Sequence, residues 1–290
     1  MKPIYLLAII ALLSLSFGFP ANKNPNNTTY YSIEKLIDSG IIDTKISALG
    51  GHTGNSIQFE ITNLSSDTQF IEIEKGRRLL SIDTSTQDML ILKPILFVLL
   101  PNSKTTTTGF AFCCQSSNSS PHKSEEFEIG NVNNPLFTKL ADLLEKDSFS
   151  NSVIQDAVWA ISNGHVLAGI DSYLDSKNLE LKRGVSLLLG RELPWYSIFY
   201  EQKSDRVFSN IPISVKAKIE LYLKHNTSID CVVRNDQGLI ERTLLSNSYQ
   251  PTGKLPLNLE MNVKGWKKGK YTVEIYKEQN NLLWKNSFEL

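Results

Sequence analysis

The chain has 290 residues, and its 30 Lys+Arg balance 30 Asp+Glu for a formal net charge of zero. With 41% hydrophobic and 21% charged residues it has the composition of a folded globular protein, which excludes wholesale disorder and repetitive fibres. The even charge excludes the basic footprint of a nucleic-acid or anionic-membrane binder, and three cysteines are too few for a disulfide-dense scaffold.

The first 18 residues carry an address. Met1-Lys2 is a short basic start, Ile4 to Leu15 is almost wholly apolar, and Ser16-Phe17-Gly18 offers a small-x-small cleavage site. This is the pattern of a secretory signal peptide over residues 1–18. The apolar run falls short of the about 20 residues a spanning helix needs. Later in the chain, Leu90 to Pro101 is apolar but is broken by Lys93 and Pro94, and it reads as buried strand. No integral membrane segment is expected after cleavage. The mature protein is expected to be secreted, held at a cell surface, or resident in the periplasm. Residues 19–40, which open FPANKNPNNTTYYS, read as a flexible leader. Asn-x-Ser/Thr sequons stand at Asn26, Asn27, Asn63, Asn118 and Asn226; they become glycosylation sites only in a eukaryotic source.

From about residue 41 the pattern is β. Ser56 to Thr62 places Ile57, Phe59 and Ile61 on one face, the period-2 signature of a half-buried strand. Asn63 to Asp67 is turn chemistry, and Gln69 to Glu74 alternates again. Gln87 to Leu100 and Thr107 to Cys114 supply further strands, with Thr105 to Thr108 as an exposed β-branched run. Short strands at this spacing predict an antiparallel sandwich. The period then changes. Asn134-Pro135 opens a helix with Leu136, Phe137, Leu140, Leu143 and Leu144 at helical spacing. Asn151 or Ser152 caps a second, which carries Ile154, Ala157, Val158 and Ile161 and stops at Asn163-Gly164. Lys177 to Leu189 reads as a third. Pro194 to Tyr200 returns to strand character. After the polar EQKSDR segment, alternating runs from Val207 to the end predict an Ig-like sandwich. The fold class is therefore mainly β with a helical insert, a β-sandwich plus helices, followed by a C-terminal Ig-like antiparallel sandwich. The domains read as 41–205 and 206–290.

The usual catalytic signatures are missing. His52, His122, His165 and His225 are scattered, and the local zinc patterns HExxH and CxxC are absent. GxSxG, GxGxxG and the P-loop are absent too. Gly50-Gly51-His52-Thr53-Gly54 reads as a turn, since it lacks the phosphate-loop Lys and a strand follows. No metal, no cofactor and no enzymatic activity are expected. Cys113 and Cys114 are neighbours on the strand GFAFCCQ, so their side chains point to opposite faces. They read as buried small hydrophobes, with a long-range disulfide to Cys231 as an alternative.

Phe112-Cys113 precedes Ile154-Gln155-Asp156-Ala157-Val158-Trp159 by 42 residues. This arrangement resembles the bacterial thioester domain family of surface adhesins, in which an aromatic-Cys strand and a Gln-x-x-apolar-apolar helix supply an internal Cys–Gln thioester. Pro121, Phe127 and Gly130 fit the family's general look, and the resemblance covers about residues 107–170. It implies a thioester between Cys113 and Gln155, with Phe112 and Trp159 in support. Such a bond is an activated acyl group, which an incoming amine opens by displacing the cysteine. In the C-terminal block, Val232 to Ile240 and Gly265 to Val273 resemble the FlgD-like Ig and sorting-tail domains of secreted bacterial proteins. Two function classes follow. One is a non-enzymatic binding or structural protein of β-sandwich modules, with an extracellular protein or glycan as ligand. The other is a covalent adhesin using Cys113 and Gln155.

Overall fold

The computed structural model describes residues 22–23, 28–202, 207–278 and 281–290. The signal peptide read over 1–18 lies outside them. The chain begins with β1 (Asn22–Lys23), β2 (Thr29–Ser32) and α1 (Ile33–Asp38). The leader expected over 19–40 is therefore structured from Thr29 onward. Ile33 and Leu36, one helical turn apart, are buried in the first core, and that burial overrides the polar character of the residues before them.

Eight strands follow: β3 (Ile42–Ala48), β4 (Asn55–Asn63), β5 (Gln69–Ile73), β6 (Arg78–Ser81), β7 (Met89–Ile91), β8 (Ile95–Leu99), β9 (Lys104–Cys113) and β10 (Glu126–Ile129). Six of them close into a barrel in the order β10-β3-β4-β9-β7-β6, and β1-β2-β5-β8 form a separate four-stranded sheet. The strand-forming stretch from Gln87 to Leu100 breaks at Lys93-Pro94 and serves two sheets. Proline cannot donate to a ladder, so the break falls where the chemistry requires it. Ile57, Phe59 and Ile61 of β4 are fully buried and face Ile46, Ile73, Leu79 and Met89. The sequon at Asn63 is not free for modification. Its side-chain amide is buried and donates to the carbonyls of Asp67, Leu99 and Leu100 at 2.8–3.2 Å.

The helical insert comprises α2 (Pro135–Leu144), α3 (Asn151–Ser162), a short 3-10 turn (Leu167–Gly169) and α4 (Ser176–Leu189). Asn134 caps α2, its Oδ1 accepting from Leu136 N at 3.0 Å. Ser150, one residue before the expected cap, caps α3 by accepting from Val153 N. Asp175 accepts from both Lys177 N and Asn178 N to start α4. Each cap satisfies amide groups that the first helical turn leaves unpaired. The helices bury Leu140, Ile154, Val158, Leu181 and Val185 against Leu90, Phe112 and Cys114 of the barrel wall. Strand β9 therefore serves two cores, with Ala111 and Cys113 facing the barrel interior and Phe112 and Cys114 facing the helices.

The C-terminal part contains β11 (Tyr196–Tyr200), β12 (Pro212–Leu223), β13 (Thr227–Arg234), β14 (Ile240–Gln250), β15 (Gly253–Asn262), β16 (Lys270–Lys277) and β17 (Asn281–Glu289). Sheets β11-β12-β15 and β14-β13-β16-β17 enclose Val215, Ile229, Cys231, Val273, Ile275 and Phe288. This sandwich begins earlier than the boundary read at 206, because β11 pairs with β12 along Tyr196 to Tyr200. Lys182 secures that strand to α4. Its buried ammonium donates to Tyr196 O at 2.8 Å and to the hydroxyls of Ser172 and Ser197, and burial lowers its pKa to about 8. Among the described residues no helix is long and apolar enough to cross a membrane.

Candidate functional site

Cys113 ends β9, where the strand leaves the barrel and the helical layer begins. Its side chain is fully buried, with Sγ 3.5 Å from Met89 Sδ. Gln155, on the first turns of α3, is 2% exposed, and its Nε2 donates to the main-chain carbonyl of Cys113 at 2.6 Å. The two residues of the expected pair thus meet through the Cys113 backbone, while the thiol turns into the barrel core. Among the described residues Gln155 Oε1 has no partner, and neither does Nε1 of Trp159, one helical turn further on. Phe112 sits in the helix-facing core and meets Phe110 edge-on at 5.0 Å. Cys114 donates its thiol to Asp88 O at 3.3 Å. All three cysteines are free and buried. Burial pushes each thiol well above its ordinary pKa, to about 12 for Cys114 and Cys231, so none is a ready thiolate.

Beyond Gln115 the chain runs into a cleft of about 1070 Å³. Its walls come from four separate stretches: His52 in the β3–β4 loop, the Ser116–Ser120 run with His122, His165 after α3, and Phe208 to Ile211 before β12. Three of the four histidines, scattered in sequence, line this one space. None of its described lining residues is Asp, Glu, Lys or Arg. Burial lowers the pKa of His52 and of His165, so both rings are uncharged at neutral pH.

The closest polar contact in the cleft joins Ser116 Oγ to His165 Nε2 at 2.8 Å. Both residues are held from behind. Ser116 N donates to Asn163 Oδ1 at 3.3 Å, and Arg191 Nη1 donates to His165 O at 3.1 Å. The imidazole lies against Phe208, ring centroids 4.1 Å apart, and against Trp159 at 5.7 Å. A second cavity of about 260 Å³ adjoins, lined by Asp156, His165, Tyr200, Phe208, Lys268 and Leu290 among others. Burial, reinforced by the nearby charge of Asp171, raises the Asp156 carboxyl to about 7.

The Ser116–His165 contact spans 49 residues and carries no sequence signature. Ser and His at that separation become a pair only because β9 and α3 pack side by side. Among the described residues no group of three or more His, Cys, Asp and Glu is placed to hold a metal ion.

No family model matches the chain, and no curated protein matches it. A solved structure of the CBM51-2 module, in complex with GlcNAc, and the INT domains of ZmpB from Clostridium perfringens is matched at 8% identity. The match covers 87% of this chain and 93% of that one with a TM-score of 0.19. A likeness of that size carries no argument about ligand or fold.

Proposed function

We propose that this chain is a secreted or cell-surface binding protein, and that the cleft at the junction of barrel, helices and sandwich holds a neutral, hydroxyl-rich ligand of the glycan class. The observation that carries this reading is the lining. The described cleft residues offer hydroxyls, amides and imidazoles together with the Phe208 ring, and no Asp, Glu, Lys or Arg. Ligand sites combine apolar and aromatic surface with a few convergent polar groups. With no Asp, Glu, Lys or Arg among its described lining residues, the cleft shows no electrostatic preference for an ionic ligand there. The N-terminal basic–apolar–small pattern supports export. In this reading the sandwich spaces or supports the cleft. Calorimetric titration against a panel of neutral and acidic oligosaccharides tests it. Saturable binding of a neutral member, weakened by Phe208→Ala, is the expected result. Binding restricted to acidic members would overturn it.

The contact between Gln155 and Cys113 favours a second reading, covalent capture. The bond would form by attack of Cys113 Sγ on Gln155 Cδ with loss of ammonia, and it requires the thiol to leave Met89 and turn toward the carboxamide. Intact mass of the native protein separates the two readings. A protein lighter by one ammonia, which then takes up methylamine, supports capture; the full unmodified mass excludes it.

A further inference from the structure

Binding alone leaves one pairing in the cleft unused. An uncharged imidazole has one nitrogen free to accept; with the proton on Nδ1 that nitrogen is Nε2, and His165 Nε2 lies 2.8 Å from the Ser116 hydroxyl. A serine and a base at this separation form the minimal arrangement for nucleophilic catalysis. Three features of the surroundings fit that use. Both partners line the open cleft of about 1070 Å³, so an incoming group can reach them. Both backbones are anchored, Ser116 by Asn163 and His165 by Arg191. The ring packs against Phe208 and Trp159, which also contact each other, and this cluster limits its rotation near the hydroxyl. No hydrogen bond to His165 Nδ1 is present among the described residues, so the pair works as a dyad.

We propose that Ser116 is a nucleophile activated by His165, and that it accepts an acyl group from a neutral ester bound in the cleft. Ser116 Oγ attacks the ester carbonyl carbon while its proton passes to His165 Nε2. The bond between that carbon and the alcohol oxygen breaks, and the alcohol leaves with the proton returned from His165. The products are acyl-Ser116 and free alcohol, and no further reactant is needed. This step goes beyond ligand binding and does not depend on the ligand being a glycan.

The test uses p-nitrophenyl acetate as a neutral ester and the native protein, with heat-denatured protein as background. The expected result is release of nitrophenolate and one added acetyl group, mapped by peptide mass to Ser116. Ser116→Ala and His165→Gln should each slow the release at least about tenfold, below the 10²–10⁴ range typical of positioned general bases. Should either variant fail to fold, the position of the acetyl group on the native protein decides by itself. Acetylation at lysines or other serines, or release no faster than from denatured protein, would overturn the proposal and leave the pair a structural contact. A protein that acetylates at Ser116 but binds no oligosaccharide upholds this proposal and fails the glycan reading. One that binds oligosaccharide without acetylation does the reverse.

Discussion

The C-terminal sandwich and the barrel-and-helix body are both built from alternating strands, yet they treat their buried polar groups differently. In the sandwich, the buried Glu274 carboxylate meets Arg234 Nε at 2.7 Å, Lys285 Nζ at 2.8 Å and the Tyr276 hydroxyl at 2.6 Å. Burial works against that charge, but the three partners outweigh it and hold the carboxyl at about 2. In the barrel-and-helix body, Arg78 Nε, Gln155 Oε1 and Trp159 Nε1 are buried without partners among the described residues. An unpaired buried group costs about 1–3 kcal/mol. Such costs persist where a surface serves something other than stability. Trp159 packs against His165, so one of the unpaired groups adjoins the cleft itself. The sandwich pairs its buried charge, and the other body supplies most of the described cleft lining.

The sharpest break of this contrast is a large cavity in the sandwich. Phe288 is buried and stacks on Tyr271 with ring centroids 5.5 Å apart. Phe288→Ala should cost about 3–5 kcal/mol in urea unfolding. A comparable loss from Gln155→Ala, whose amide is only half satisfied, would erase the distinction.

Arg77 is the barrel's own fully paired buried charge. It donates to Glu74, Glu34, Ser32 and the carbonyl of Gly130, tying the separate sheet to the barrel. Arg77→Ala should cost about 3 kcal/mol by leaving those acceptors behind. A loss under about 1 kcal/mol would mean that the separate sheet is not held by this group.

Asp156 predicts a pH dependence confined to the cleft side. Its folded pKa of about 7 lies above the ordinary aspartate value of 3.8, so between those values the folded state keeps a proton that the unfolded chain releases. The stability this contributes is complete below about 3.8 and is lost as the pH rises toward 7. The difference between the native protein and Asp156→Asn should therefore change by about 2 kcal/mol between pH 4 and 7, after allowing for partial solvent access. A flat difference would show that Asp156 is solvated.

The smallest effect is expected where a polar group has nothing to lose. Trp159→Phe removes an unpaired N–H and keeps most of the ring, so stability should move by less than about 1 kcal/mol in either direction. A larger loss would reveal a bridging water or a partner for the indole.

Much of the scaffold was legible in the residues. The alternation of Ile57, Phe59 and Ile61 marked β4, and the spacing of Ile154, Ala157, Val158 and Ile161 marked α3, because side-chain period follows backbone geometry directly. Barrel closure was not legible. It depends on β10 joining β6, where Phe127 pairs with Ser81, 46 positions apart in the chain, and no local pattern encodes that. The same holds for β11, whose partner strand alone assigns it to the sandwich. In the site, Cys113 and Gln155 stood out because their neighbours form an uncommon pattern. Ser116 and His165 did not, since each is unremarkable until the fold places them together.

The central claim is that ligand binds in the cleft lined by three of the four histidines. His225, exposed between β12 and β13, serves as the internal control. Imidazole resonances followed by NMR during titration with a neutral oligosaccharide test the claim most directly. Saturable shifts are expected at His52, His122 and His165, with His225 unmoved. Shifts at His225 alone, or at none of the four while binding saturates, would contradict it.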